Sequence, residues 1–322
     1  MKQKLSVDEQ IEYMSSQKGI KFEQCEKFYA KEFLSYHSYY FKLKAYDKCF
    51  ETYNNPKHPK YGQYVSLDFK QLLILSKIDM AFRHILLDLS LEIEHSLKVF
   101  LNHLISEAST EDGYTVVEQF LQNNDKIKSK IENIISHPNS NPYTIDMVKK
   151  YKDNFAIWNL IEILTFGDLL HFWNFYMSNQ EVKIKQSSLI IYVKYIRNAS
   201  AHLNCMLNQL SYSKNGFKVK PSKLLKNLIS QNLFNGKKIS DSWDRLLEVP
   251  VLHDFAACIF VFISFVKSDN AFERTKENLL SFADLVKKYR YIFNNELNLQ
   301  SGFDYILKLI DFMTTIKICK KS

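Results

Sequence analysis

The chain has 322 residues, 46% of them hydrophobic, enough for one substantial core or two modest ones. Only seven Gly and six Pro are present, so tight turns are few and a sheet-rich fold is disfavoured. Basic residues exceed acidic ones by eight, and the five cysteines (Cys25, Cys49, Cys205, Cys258, Cys319) are scattered with no Cys-x-x-Cys pair, which argues against a zinc site or a disulfide framework and for a reducing cytoplasm.

The first residues lack the apolar centre of a signal peptide. Ser6-x-x-Glu9 ahead of Ile11 has the pattern of a capping box and opens a first helix. Residues 39–46 interleave Tyr39, Tyr40, Phe41 and Tyr46 with Lys42 and Lys44. That composition suits a base-stacking platform, or equally core aromatics with lysines reaching outward; the stretch 40–46 is also one of two short strand candidates, with 217–220. Residues 51–64 read as a loop. From 66 to 105 the apolar positions Ile78, Phe82, Ile85, Leu89, Ile93, Leu97 and Leu101 recur at three- and four-residue steps, predicting one long amphipathic helix or two with a kink. Asp79–Arg83 and Glu94–Lys98 are i,i+4 pairs on it, each contributing about 0.2–0.5 kcal/mol where exposed.

A second loop covers 136–144, followed by a helix over 155–164, a cap at Thr165-x-x-Asp168 and a helix to 177. Another helix starts near Ser187. A Lys-rich loop over 214–221 leads to helices near 222–234, 251–266, 277–289 and 303–318. The most apolar window, 249–266, is broken by Pro250, His253 and Asp254 and reads as a buried helix rather than a membrane span. The expected fold is all-α, with segments 1–65, 66–212 and 213–322.

Charge is unevenly spread. Between Glu181 and Asp241 there is no acidic residue, yet the interval holds Arg197 and ten lysines, among them Lys194, Lys214, Lys218, Lys220, Lys237 and Lys238. Local positive charge of this kind binds polyanions, which marks these lysines as candidate contacts to an RNA backbone. Inside the interval lies Arg197-Asn198-Ala199-Ser200-Ala201-His202. Histidine suits proton transfer near neutral pH, and arginine clamps phosphate with a planar fork that never deprotonates. Cleaving RNA without a metal needs a base for the 2′-hydroxyl, an acid for the leaving 5′-oxygen and neutralisation of the phosphoryl oxygens. The reading is His202 as general acid/base, Arg197 as phosphate clamp, and products ending in 2′,3′-cyclic phosphate and 5′-hydroxyl.

Geometry constrains this. Five residues along a helix separate two side chains by about 140°, so Arg197 and His202 do not converge from one unbroken helix, whereas Asn198 and His202 share a face. Either the helix breaks between them or a second copy completes the site. Among supporting residues, Glu94 lies about three turns beyond Arg83 and could hold an arginine or simply pair with Lys98. Glu162 could be a buried carboxylate facing Arg197 or a boundary residue facing water. No metal-ligand spacing is present and no cofactor is implied.

The hexad, preceded by the apolar run 189–193, resembles the signature of the HEPN superfamily of metal-independent ribonucleases. Three further stretches, 39–46, 79–83 with 93–98, and 158–162 with 166–169, are similar to the Abi-like abortive-infection proteins of bacteria (the AbiD/AbiF type). The resemblance covers about residues 5–210. It implies a HEPN-like helical bundle flanked by helical extensions, a homodimer that brings two motifs together, a role in anti-phage defence and partnership with a small non-coding RNA. Two other readings compete: a non-catalytic RNA-binding protein using the same surface, and a helical scaffold with an incidental basic patch.

Overall fold

The computed structural model describes residues 4–316 apart from 138, 140, 181–183 and 211–216. Fifteen α-helices and no strand occur among the described residues; two isolated bridges, Lys21–Asp68 and Thr52–Tyr64, are the only extended pairings there. The fold is all-α.

Helix α1 (Val7–Ser16) opens on the expected capping box: the Ser6 hydroxyl accepts the Glu9 N–H and the Glu9 carboxylate accepts the Ser6 N–H. Helix α2 (Lys27–Tyr36) returns antiparallel to it, tied by Lys31–Asp8 and Lys27–Glu12 ion pairs. Residues 40–46 are not a strand. They form the short helix α3 (Tyr40–Lys44) and the start of a 3₁₀ turn over 45–49, because a helical turn points both Leu43 and Tyr46 into the core, each fully buried. The other strand candidate, 217–220, has no regular secondary structure; its Val219 N–H donates to the Glu248 carbonyl.

Helix α4 (Phe69–Glu107) is one unbroken element of 39 residues, about 58 Å long at 1.5 Å per residue. Its cap, Asp68, accepts the Lys70 N–H and also the Glu23 and Gln24 N–H groups, joining the helix start to the loop before α2. Five shorter helices follow: α5 (Thr115–Gln122), α6 (Asp125–Ser136), α7 (Ile145–Tyr151), α8 (Ile157–Ile163) and α9 (Phe166–Ser178). The last opens on the predicted Thr165–Asp168 box. Then come α10 (Ile190–Ala201), α11 (Lys223–Leu233), α12 (Asp241–Leu246), α13 (Pro250–Phe265), α14 (Asp269–Tyr289) and α15 (Leu297–Thr315).

Helices α4, α10, α13 and α14 make the most extensive mutual contacts. Nearly every residue of α13 is buried, as a helix apolar on all sides must be, and Pro250 at its first position leaves no intrahelical bond unmade. Phe82 of α4 shows how the layers lock: its ring stacks on Phe282 of α14 and meets Phe255 of α13 edge-on. Further along α4, Phe100 joins Trp173 of α9 and Phe265 of α13 in a triangle of rings. No helix among the described residues is long and apolar enough to cross a membrane.

Candidate functional site

The hexad ends α10, one of the helices packed on α13. Ile190, Val193 and Ile196 bury one face, and Tyr192 meets the fully buried His253 edge-on at 4.4 Å between ring centres. The opposite side carries Tyr195, Ala201 and His202 into solvent. The helix does not break between Arg197 and His202. It is regular through Ala201, and His202 is its C-cap, donating its N–H to the Asn198 carbonyl. The two side chains therefore diverge by about 140° around one helix.

The helix stops in a Schellman closure. Leu203 N–H donates to Ser200 O and Asn204 N–H to Ala199 O, both at 3.0 Å, with Leu203 in the left-handed region at φ 56°. Glycine is the usual residue there, and a leucine held in that conformation, 57% exposed, is strained by about 1 kcal/mol.

Arg197 is half-buried. Its Nη1 donates to the neutral Asn198 Oδ1 at 3.2 Å, and its buried Nε meets no partner. No carboxylate faces it among the described residues, whereas Arg83, Arg274 and Arg290 each pair with an acid. A cation so placed has donors and charge to spare for an anion.

The segment leaving the hexad is fastened by a buried network that sequence spacing does not reveal. Asp79, fully buried on α4, accepts the Leu207 N–H at 2.6 Å and the Tyr46 hydroxyl at 2.9 Å, and pairs with Arg83 one turn on. Arg83 also reaches the Asn204 carbonyl at 3.4 Å. The Cys205 thiol donates to the Lys42 carbonyl, and the Cys49 thiol to that of Leu207. Burial raises the Asp79 carboxyl, opposed by Arg83 and the donors around it. Burial also pushes the Tyr46 hydroxyl far above the ordinary tyrosine range, so it serves here as a donor, and the Cys49 thiol up to about 12. Farther on, Leu210 crosses α15 at Gly302, where a Cβ would stand 2.9 Å from the Leu210 carbonyl oxygen.

The other predicted site residues are dispersed. Arg83 is a buried member of the Asp79 network rather than a surface ion pair, and Glu94 pairs loosely with Lys98 at 4.0 Å rather than with an arginine. Glu162 is exposed on α8, so the buried-carboxylate alternative does not hold. Lys44 pairs with Asp47, while Lys194 lies along α10 with its ammonium close to Gly167 at the start of α9. Lys220, Lys237 and Lys238 are exposed and Lys42 and Lys218 half-buried; Lys214 lies outside the described residues. Tyr39 is 60% exposed. Tyr40 is instead half-buried and meets Tyr13 edge-on, and burial pushes its hydroxyl up to about 12. No group of three or more His, Cys, Asp or Glu side chains is placed to hold a metal ion among the described residues.

Both ends of the fastened segment, from Lys42, Tyr46 and Asp79 to Asn208, fall within one stretch of sequence that matches a family model. That model describes the Abi-like proteins and matches residues 32–208, more than half of the chain. The chain belongs to the Abi-like protein family. Membership points to abortive infection, that is, defence against phage. The matched stretch of this Abi-like chain begins within α2 and ends just past the hexad, so it takes in α3, α4 and α10 but none of α11–α15. Neither a curated protein nor a solved structure matches the chain.

Proposed function

We propose that this Abi-like chain is a metal-independent endoribonuclease of the HEPN type, acting in anti-phage defence. The observation that carries the reading is the Arg197 guanidinium: half-buried, bonded only to neutral Asn198, and five residues before an exposed histidine. A phosphodiester supplies the anion that this guanidinium lacks, and the imidazole at the helix end supplies or accepts the proton. In the reaction the RNA 2′-hydroxyl loses its proton to a base and attacks phosphorus. The bond to the 5′-oxygen breaks, that oxygen is protonated by an acid, and a 2′,3′-cyclic phosphate and a 5′-hydroxyl remain. Asn198 holds the guanidinium in line through its Oδ1.

Because α10 is unbroken, Arg197 and His202 of one copy point to different sides. The reading therefore includes a symmetric homodimer in which the exposed face of α10, with Tyr195 and His202, meets its equivalent and completes a composite site. The exposed Lys220, Lys237 and Lys238 would hold the RNA backbone, including that of a small regulatory RNA. The alternative keeps the RNA and drops the chemistry, with Arg197 and His202 only gripping phosphate.

The test uses Arg197→Ala and His202→Ala in the full chain. Loss of cleavage with RNA binding retained supports the nuclease; weakened RNA binding in both variants, with no cleavage by wild type, supports the binder. A monomer by light scattering that still cuts RNA would refute the composite site.

A further inference from the structure

Beside the hexad's exit the surface carries aromatic rings that the core does not use. Tyr36 is 82% exposed, Tyr39 60% and Phe41 77%, three rings within six residues around the turn from α2 into α3. Single exposed aromatics are unremarkable in a protein surface, but a group of this density is not. Their neighbours show what the core takes from the same stretch: Leu43 and Tyr46 are fully buried and Tyr40 packs on Tyr13. The same stretch touches the hexad's exit, since the Lys42 carbonyl, between Phe41 and Leu43, accepts the Cys205 thiol at 3.6 Å.

We propose that Tyr36, Tyr39 and Phe41 form a stacking ledge for the unpaired bases of an RNA strand whose backbone continues to His202. The inference rests on the RNA reading above and narrows its substrate to single-stranded RNA. Three observations support this occupant. Charge is complementary: residues 36–48 hold Lys42, Lys44 and Lys48 against the single acid Asp47, and Lys42 has no acidic partner among the described residues. The position is continuous with the hexad: Cys205 touches Lys42, and only two residues separate Cys205 from His202, at most about 11 Å between Cα atoms. Adding the 3.6 Å contact, the backbone beside it and the side-chain reach at either end puts the Phe41 ring within about 35 Å of the imidazole, some ten nucleotides at about 3.4 Å per stacked base. Finally, in an A-form duplex the base faces are hidden in the stack, so rings of this kind can engage only bases that are splayed or unpaired.

The experiment measures fluorescence anisotropy of a labelled ten-nucleotide single-stranded RNA, and of the same strand annealed to its complement, on the full chain carrying His202→Ala to prevent cutting. Adding Tyr39→Ala and Phe41→Ala is expected to weaken single-strand binding by about tenfold or more, since each stacked base is worth about 1–3 kcal/mol, and duplex binding by less than about twofold. Tyr39→Phe with Phe41→Tyr, which keeps both rings, is expected to bind as the parent does. Equal loss on both RNAs would overturn the proposal. So would unchanged affinity for both, which would leave the rings to a protein partner. If the parent binds neither RNA, the RNA reading itself fails and the ledge with it; if the parent binds and wild type cuts RNA while the ring variants are indifferent, only the ledge fails.

Discussion

Replacing Asp79 with leucine tests whether the hexad's exit is held by a buried charged network. The substitution leaves the Arg83 guanidinium, 5% exposed, without its carboxylate, and leaves the Leu207 N–H and Tyr46 hydroxyl without their acceptor. Removing one partner of a buried ion pair costs about 3–5 kcal/mol, and each orphaned donor about 1–3 kcal/mol when it stays buried. Against a typical total stability of about 5–15 kcal/mol, the variant should be severely destabilised. Urea unfolding followed by far-ultraviolet circular dichroism reads this as a midpoint lower by about 1 M or more, for a slope near 3 kcal/mol/M. The double variant Asp79→Leu/Arg83→Met removes the stranded charge as well and should recover at least half of the loss, since an apolar replacement of a buried pair is often close to neutral. A loss under about 1 kcal/mol in the single variant would mean the network does not hold the segment. A double variant no better than the single would mean that stranded charge is not the cause.

Two further substitutions probe the same segment. Leu203→Gly relieves a left-handed leucine at the helix end and should raise stability by about 0.5–1 kcal/mol, or some 1–2 °C in Tm for a chain of this size; a lower Tm would contradict the strain. Gly302→Ala places a methyl 2.9 Å from the Leu210 carbonyl oxygen, so it should lower the unfolding free energy by about 1–3 kcal/mol in the same urea assay, and a neutral result would show that the crossing has room.

What the sequence revealed follows physical range. The Ser6 and Thr165 caps were legible because a capping box is complete within four residues. Helices α4 and α13 were legible because a long apolar stripe, or a wholly apolar run, leaves few alternatives. Helices α5–α7 went unread: they are 7–12 residues long, and a few buried side chains, such as Ile127, Ile131 and Ile134, are all that mark each. Residues 40–46 read as a strand because alternating aromatics and lysines satisfy a two-residue period as well as a single helical turn. For the site, Arg197, Asn198 and His202 stood out as a local pattern, but spacing carries no information on burial. Asp79–Arg83 thus looked like a surface pair, although its partners Leu207 and Tyr46 lie 128 and 33 residues away. Likewise an interval free of acids in sequence is not free of them in space, since Lys226 of that interval pairs with Asp244 of α12 at 2.6 Å.

In the proposed reaction the Arg197 guanidinium and the His202 imidazole process a ribose-linked phosphodiester. End-group analysis of a labelled single-stranded RNA, incubated with the full chain in excess EDTA, addresses it most directly. Fragments ending in 2′,3′-cyclic phosphate and 5′-hydroxyl are expected from wild type, not from His202→Ala, and not from the same strand carrying 2′-deoxyribose throughout. Fragments ending in 3′-hydroxyl and 5′-phosphate, or cutting by His202→Ala at the wild-type rate, would contradict it.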